Sequence, residues 1–147
     1  MPPKKRFRPL VLVVDESADA RLTARFYFSN EGYEVAEAAS GQSAFESAAA
    51  NSPDLVLIDL NMRGPGGAPA AQRLRGIAQM DGVPVVACAG PDSQAYRDAA
   101  RAAGADAYLT KPVNPTVLLR LVKSLLNRRA AGAVPTSDAT QMAYMVM

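Results

Sequence analysis

Short apolar runs alternate along the chain with alanine-rich stretches of helical length, and the alternation is repeated five times. The runs are Leu10 to Val14, Glu34 to Ala38, Leu55 to Ile58, Val83 to Cys88 and Ala105 to Leu109. The first and third are continuous Val, Leu and Ile and the fourth is apolar throughout, as expected of central strands covered on both faces.

Helix signals fill the gaps between these runs. Ser17 can cap a helix whose face carries Leu22 and Phe26 and which stops at Gly32, a residue suited to the left-handed cap. Residues 41 to 50 are alanine-rich and end at Asn51-Ser-Pro. Pro69, in the first turn, opens a helix carrying Leu74 and Ile77, and Pro91-Asp-Ser starts another that Gly104 closes. The last is the clearest: Asn114 caps, Pro115 takes the first position, and Val117, Leu118, Leu121, Val122 and Leu125 follow at three- and four-residue spacing. Strands alternating with helices predict a doubly wound α/β fold, the flavodoxin-like (βα)5 sheet with strand order 2-1-3-4-5.

Composition narrows the chemistry. The chain has 147 residues, enough for one domain, which is expected over 9–129 between a basic arm at 1–8 and a tail at 130–147. The tail carries one charge, Asp138, and ends in Ala-Tyr-Met-Val-Met; it reads as a flexible terminus or as a segment docking Tyr144, Met145 and Met147. The one cysteine, Cys88, has no partner for an intramolecular disulfide, which fits a reducing cytoplasm. The apolar run behind the basic start is too short for a signal peptide or a membrane span, so no membrane insertion is expected. Net charge is +2 with scattered basic residues, and no nucleic-acid surface is expected. There is no histidine, which removes Ser-His-Asp and Cys-His sites, histidine metal ligands and phosphohistidine. Chemistry must run on carboxylates and lysine.

Doubly wound sheets bind ligands at the carboxyl ends of their strands, beside the topological switch point. Three such ends carry charged side chains: Val14-Asp15-Glu16-Ser17, Ile58-Asp59-Leu60-Asn61 and Leu109-Thr110-Lys111-Pro112. Gathering Asp15, Glu16 and Asp59 is costly unless a cation sits among them. Few hard oxygen ligands, with room for water and phosphate, suit Mg2+. Lys111 adds a point charge for a phosphoryl oxygen or for an ion pair with Asp59.

With these residues in view, about residues 9 to 128 resemble the receiver domain of two-component response regulators, in particular the stand-alone, chemotaxis-type members. The matching segments are Val11-Leu-Val-Val-Asp-Glu-Ser, Pro53-Asp-Leu-Val-Leu-Ile-Asp-Leu-Asn-Met, Pro84-Val-Val-Ala-Cys-Ala-Gly and Gly104-Ala-Asp-Ala-Tyr-Leu-Thr-Lys-Pro. The resemblance implies a signalling switch rather than an enzyme. Asp59 would take a phosphoryl group from a sensor histidine kinase or histidine phosphotransfer protein, and a downstream target protein would read the result. Asp15, Glu16 and Asp59 would hold Mg2+ with the backbone carbonyl of Asn61, Lys111 would pair with the phosphoryl oxygens, and Lys111-Pro112 would be cis. The partner face implied includes Tyr96, Arg97, Arg101, Tyr108 and Arg120, through which a homodimer is also conceivable.

The pattern is broken at Ala89, where the family places a Thr or Ser whose hydroxyl couples the phosphoryl group to an aromatic switch residue, here Tyr108. Cys88 is no substitute, because adjacent strand residues face opposite sides. Phosphorylation with weakened or rerouted coupling is the leading expectation, and a phosphorylation-independent receiver-like interaction module is the alternative. Glu16 stands where Asp is more usual, and Met62-Arg-Gly-Pro-Gly-Gly replaces the usual loop start, with Arg63 free to meet phosphate, partner or solvent. A dehalogenase-type phosphatase would want an acid at Asn61, and an FMN carrier would want a neutral loop where Asp15 to Asp19 is acidic.

Overall fold

The computed structural model describes residues 7–63 and 66–132. Five parallel strands, β1 Leu10–Val14, β2 Glu34–Ala38, β3 Leu55–Asp59, β4 Val85–Ala89 and β5 Ala107–Thr110, pair in the order β2-β1-β3-β4-β5. Between them run α1 Ala18–Asn30, α2 Gly41–Asn51, α3 Gly67–Leu74 and α4 Gln94–Ala102, and α5 Pro115–Ala130 closes the fold. The architecture is the flavodoxin-like one that the alternation predicts.

Side-chain alternation along the strands splits the core in two. Leu12, Val14, Val56, Ile58, Ala87, Ala89 and Tyr108 face the layer with α2, α3 and α4. Val11, Val13, Leu57, Cys88 and Leu109 face α1 and α5, where Phe28, Leu118, Leu121, Val122 and Leu125 complete the packing. The strands β1, β3 and β4 are buried throughout, whereas β2, at the edge, is half wetted and carries Glu34 and Glu37 outward.

The helix starts form as the capping residues dictate. Ser17 Oγ accepts the N–H of Ala20, Ser93 Oγ that of Tyr96, and Asn114 Oδ1 those of Thr116 and Val117. Gly32 takes φ +85°, the left-handed turn expected of it after α1. At the far end of the sheet Asp54 accepts the N–H of Leu10 at 2.8 Å and the Arg129 guanidinium at 2.7 Å, which ties the end of α5 to the start of β1 and β3.

Four local expectations are corrected. The fourth strand starts at Val85 rather than Val83, because Val83 donates its N–H to Met80 in a short 3-10 turn, Ala78–Met80, and Pro84 has no N–H to offer a ladder. The fifth starts at Ala107, because the Ala105 N–H closes α4 by bonding Ala100. The third helix stops at Leu74, leaving Ile77 in the turn that follows. On α1 the face turned to the sheet is Ala24 and Phe28, while Leu22 and Phe26 are 65% and 63% exposed. The small Ala24 lets the helix approach the strands closely, and that selects the stripe.

Residues 1–6 and 133–147 lie outside the described residues, and with them most of the basic arm and of the tail. Among the described residues no helix is long and apolar enough to cross a membrane.

The packing gives a direct comparison by denaturant titration. Phe28→Ala is expected to lower stability by about 3–5 kcal/mol, as deletion of a fully buried aromatic does, and Phe26→Ala by less than about 1 kcal/mol. Equal losses would place both rings in the core. Burial pushes the Cys88 thiol up to about 12, so the folded protein is expected to resist iodoacetamide at pH 8 while the denatured chain reacts. Because the folded value lies above the unfolded one, this contribution to stability is complete below the unfolded value and falls away as pH rises toward about 12.

Candidate functional site

The sheet order brings three strand ends together. Strands β1 and β3 are neighbours, so Asp15, just past β1, and Asp59, the last residue of β3, stand side by side. Lys111, just past β5, arrives over the end of β4, to which its N–H is tied through the carbonyl of Ala89 at 2.8 Å. That crossing needs Gly90: a Cβ there would lie 2.9 Å from Cβ of Lys111. Gly67, which opens α3, is held more tightly still, since its Cβ would fall 2.1 Å from the carbonyl oxygen of Asp59. The loop that leaves Asp59 therefore folds back against its own strand end.

The centre of the site is one ammonium shared by two acids. Lys111 Nζ lies 3.2 Å from Asp15 Oδ2 and 3.2 Å from Asp59 Oδ1. The two carboxylates are 6% and 5% exposed and are the buried charged side chains of the described core. Partial burial works against the lysine charge, but Cys88, Asp15 and Asp59 outweigh it and hold the ammonium above its usual pKa. Backbone amides finish the acids: Ser17 N–H donates to Asp15 Oδ1 and Asn61 N–H to Asp59 Oδ1, each at 2.9 Å. Two buried anions against one cation leave one negative charge without a counterpart, and that excess fits a divalent ion.

Glu16 does not join them. Its carboxylate accepts the backbone N–H of Arg63, and its second oxygen lies 3.9 Å from Arg63 Nε. Among the described residues there is accordingly no group of three acidic side chains arranged to hold a metal ion. Arg63, whose side chain is 94% exposed, is the residue that draws Glu16 aside. The charge count of the Asp15-Asp59-Lys111 set still calls for a cation, with Glu16 one residue away on the same loop.

Asn61 stands beside Asp59, but its carboxamide is engaged elsewhere. Its Oδ1 accepts the N–H of Gly90 at 3.0 Å and its Nδ2 donates to the hydroxyl of Tyr96 at 2.8 Å. Sequence reasoning assigned only its backbone; no local signal points to Tyr96, which is 35 residues away. The Lys111-Pro112 peptide is cis as expected, and Gly90-Pro91 is cis as well.

Ala89 and Tyr108 face the layer opposite to Cys88, as the alternation requires. Tyr108 is fully buried, and its hydroxyl has no hydrogen-bond partner among the described residues. Burial raises its pKa first, and the charge of Asp92 adds to the effect. The Arg97 guanidinium, paired with Asp92 at 2.6 Å, lies 5.9 Å above the ring.

Known proteins share this arrangement of elements. The family model described as the response regulator receiver domain matches residues 11–123. The transcriptional regulatory protein PrrA of Mycobacterium tuberculosis is 38% identical over 130 residues, which cover 88% of this chain and 55% of that protein. The transcriptional regulatory protein ResD of Bacillus subtilis is 32% identical over 118 residues, covering 80% and 48%. The chain thus spans about half the length of the curated relatives it matches. Among solved structures, the chemotaxis protein CheY4 of Vibrio cholerae superposes with a TM-score of 0.76 at 29% identity, covering 80% of this chain and 98% of that one. A CheY-like receiver domain protein of Methanospirillum hungatei gives 0.79 at 25% identity, covering 86% and 99%. From strand order, strand-end residues and extent of match together, the chain belongs to the response regulator receiver domain family.

Proposed function

We propose that this chain is a phosphoryl-accepting receiver in which Asp59 takes a phosphoryl group from a sensor histidine kinase or a histidine phosphotransfer protein. The observation that carries the reading is the single Lys111 ammonium held between the buried carboxylates of Asp15 and Asp59. These 147 residues contain no histidine, so they supply no donor imidazole themselves.

Both close contacts of Asp59 use Oδ1, which leaves Oδ2 to form the new bond to phosphorus. As that bond forms, the bond from phosphorus to the donor imidazole nitrogen breaks, and the electron pair returns to the ring. Lys111 is placed to follow the charge outward: an ammonium 3.2 Å from the attacking carboxylate can turn to a phosphoryl oxygen without leaving the pocket. Asp15 holds the lysine and would ligate Mg2+ with Asp59, Glu16 and the Asn61 carbonyl. Mg2+, when bound, would supply positive charge for the phosphoryl oxygens. Glu16 must first give up the Arg63 amide. The phosphorylated face is read by a downstream target protein; neither nucleic acid nor membrane is required for it, and a cytoplasmic setting follows from the donor.

A second reading, a receiver-like module that works without phosphorylation, is favoured by one observation: Ala89 offers no hydroxyl where the coupling to Tyr108 is expected. Beryllofluoride with Mg2+ separates the two. Binding that changes affinity for a partner supports the first reading, and no binding supports the second.

Acetyl phosphate with Mg2+ is expected to add the mass of one phosphoryl group to wild type and nothing to Asp59→Asn, read by intact-protein mass spectrometry. An equal gain in both would remove Asp59 from its role. Lys111→Ala is expected to slow the same reaction on the order of a hundredfold, the usual size for loss of one positioned charge donor, while leaving Asp59 in place. A rate within a few fold of wild type would show that the ammonium holds the fold but not the reacting group.

A further inference from the structure

Helix α4 is lightly held. Of its nine residues Ala100 alone is buried, so it belongs to the part of the fold most easily displaced. Its first turn and the loop before it are nevertheless tied to the acceptor end of β3 through one side chain. Asn61 donates its backbone N–H to Asp59 Oδ1 at 2.9 Å, accepts the Gly90 N–H on Oδ1 at 3.0 Å, and donates from Nδ2 to Tyr96 Oη at 2.8 Å.

The orientation of this carboxamide is fixed by chemistry. A backbone N–H can only donate, so the Gly90 contact must be the amide oxygen, which turns the NH2 group to Tyr96 and makes the phenol an acceptor there. The carboxamide is pinned at both ends, and a displacement of the residue 61 backbone must be shared by Gly90 and by Tyr96 on α4. The other connection across this end of the sheet lacks a hydroxyl at residue 89. Ala89 carries only a methyl group, and Tyr108 is fully buried with Arg97 above its ring and no hydrogen-bond partner among the described residues.

We propose that Asn61 is the positioning residue that carries a change at Asp59 to α4, through Tyr96 and Gly90, in place of a hydroxyl at residue 89. This rests on the phosphoryl-accepting reading of Asp59. When Asp59 Oδ1 exchanges the Asn61 amide for other partners, the start of the loop shifts, and the carboxamide moves the N-terminal turn of α4 with it. Tyr96 thereby becomes the residue at which a partner bound to α4 senses the state of the acceptor.

Two measurements test this on the full chain. Without ligand, amide hydrogen exchange is compared in wild type, Asn61→Ala, Tyr96→Phe and the double variant. Loss of one ordinary hydrogen bond is expected to speed exchange in residues 90–98 about fivefold. The double variant should be no faster than Asn61→Ala alone; additive effects would mean that the two side chains are not linked and would overturn the proposal. With Mg2+ and beryllofluoride, wild type is expected to change exchange across α4. Tyr96→Phe should bind beryllofluoride within about twofold of wild type yet lose most of that response, because the hydroxyl it removes is bonded to Asn61 and not to Asp59. A Tyr96→Phe protein that responds as wild type does, or a wild type that binds without any change in α4, refutes the relay and leaves the acceptor reading intact. A wild type that binds no beryllofluoride refutes the acceptor reading, and the relay falls with it.

Discussion

Two carboxylates and one ammonium, removed from water at the mouth of a parallel sheet, set the terms for everything around them. The Lys111 ammonium lies 3.2 Å from each carboxylate, so each charge offsets part of the cost of burying the others. The strand order provides the meeting: β1 beside β3, then β4 and β5, so that a residue following β5 must cross the end of β4 to reach them. Gly90 and Gly67 are consequences of that crowding, since any side chain at either would collide with the lysine or with the end of β3. The excess negative charge is the property from which the chemistry follows.

The two layers of the core serve this centre unequally. The α1 and α5 side supplies large side chains, Phe28 and the leucines of α5, and fixes the strands that carry Asp15, Asp59 and Lys111. The opposite layer is alanine-rich around α4, with Ala87, Ala89, Ala100 and Ala103 packed about Tyr108. Small residues allow close approach but contribute little apolar area each, roughly in proportion to their size. The α1 and α5 side is thus built from larger side chains than the part of the other layer around α4.

Most of the fold was legible because periodicity and caps are local. The first two strands are found where the apolar runs place them, and Ser17, Gly32 and Asn114 do what their positions foretell. Misreadings arose where long-range pairing overrides local pattern: Val83 and Ala105 look like strand but spend their N–H groups on turns, and Leu22 and Phe26 look like a core stripe but are displaced by Ala24 and Phe28. Within the site, Asp15, Asp59 and Lys111 were readable from strand ends alone. The diversion of Glu16 to Arg63 and of the Asn61 carboxamide to Tyr96 was not, because both depend on how a loop is laid across residues remote in sequence.

The tie between Arg129 and Asp54 has a geometric outcome of its own. Helix α5 begins near the acceptor end and runs back antiparallel to the strands, so this anchor lies at the floor of the sheet, one strand length of roughly 16 Å from Asp59. The polypeptide after residue 132 thus departs from the pole opposite to the chemistry. Among the described residues, a path from the Asp15-Asp59-Lys111 set to residue 132 runs the length of the sheet or along α5.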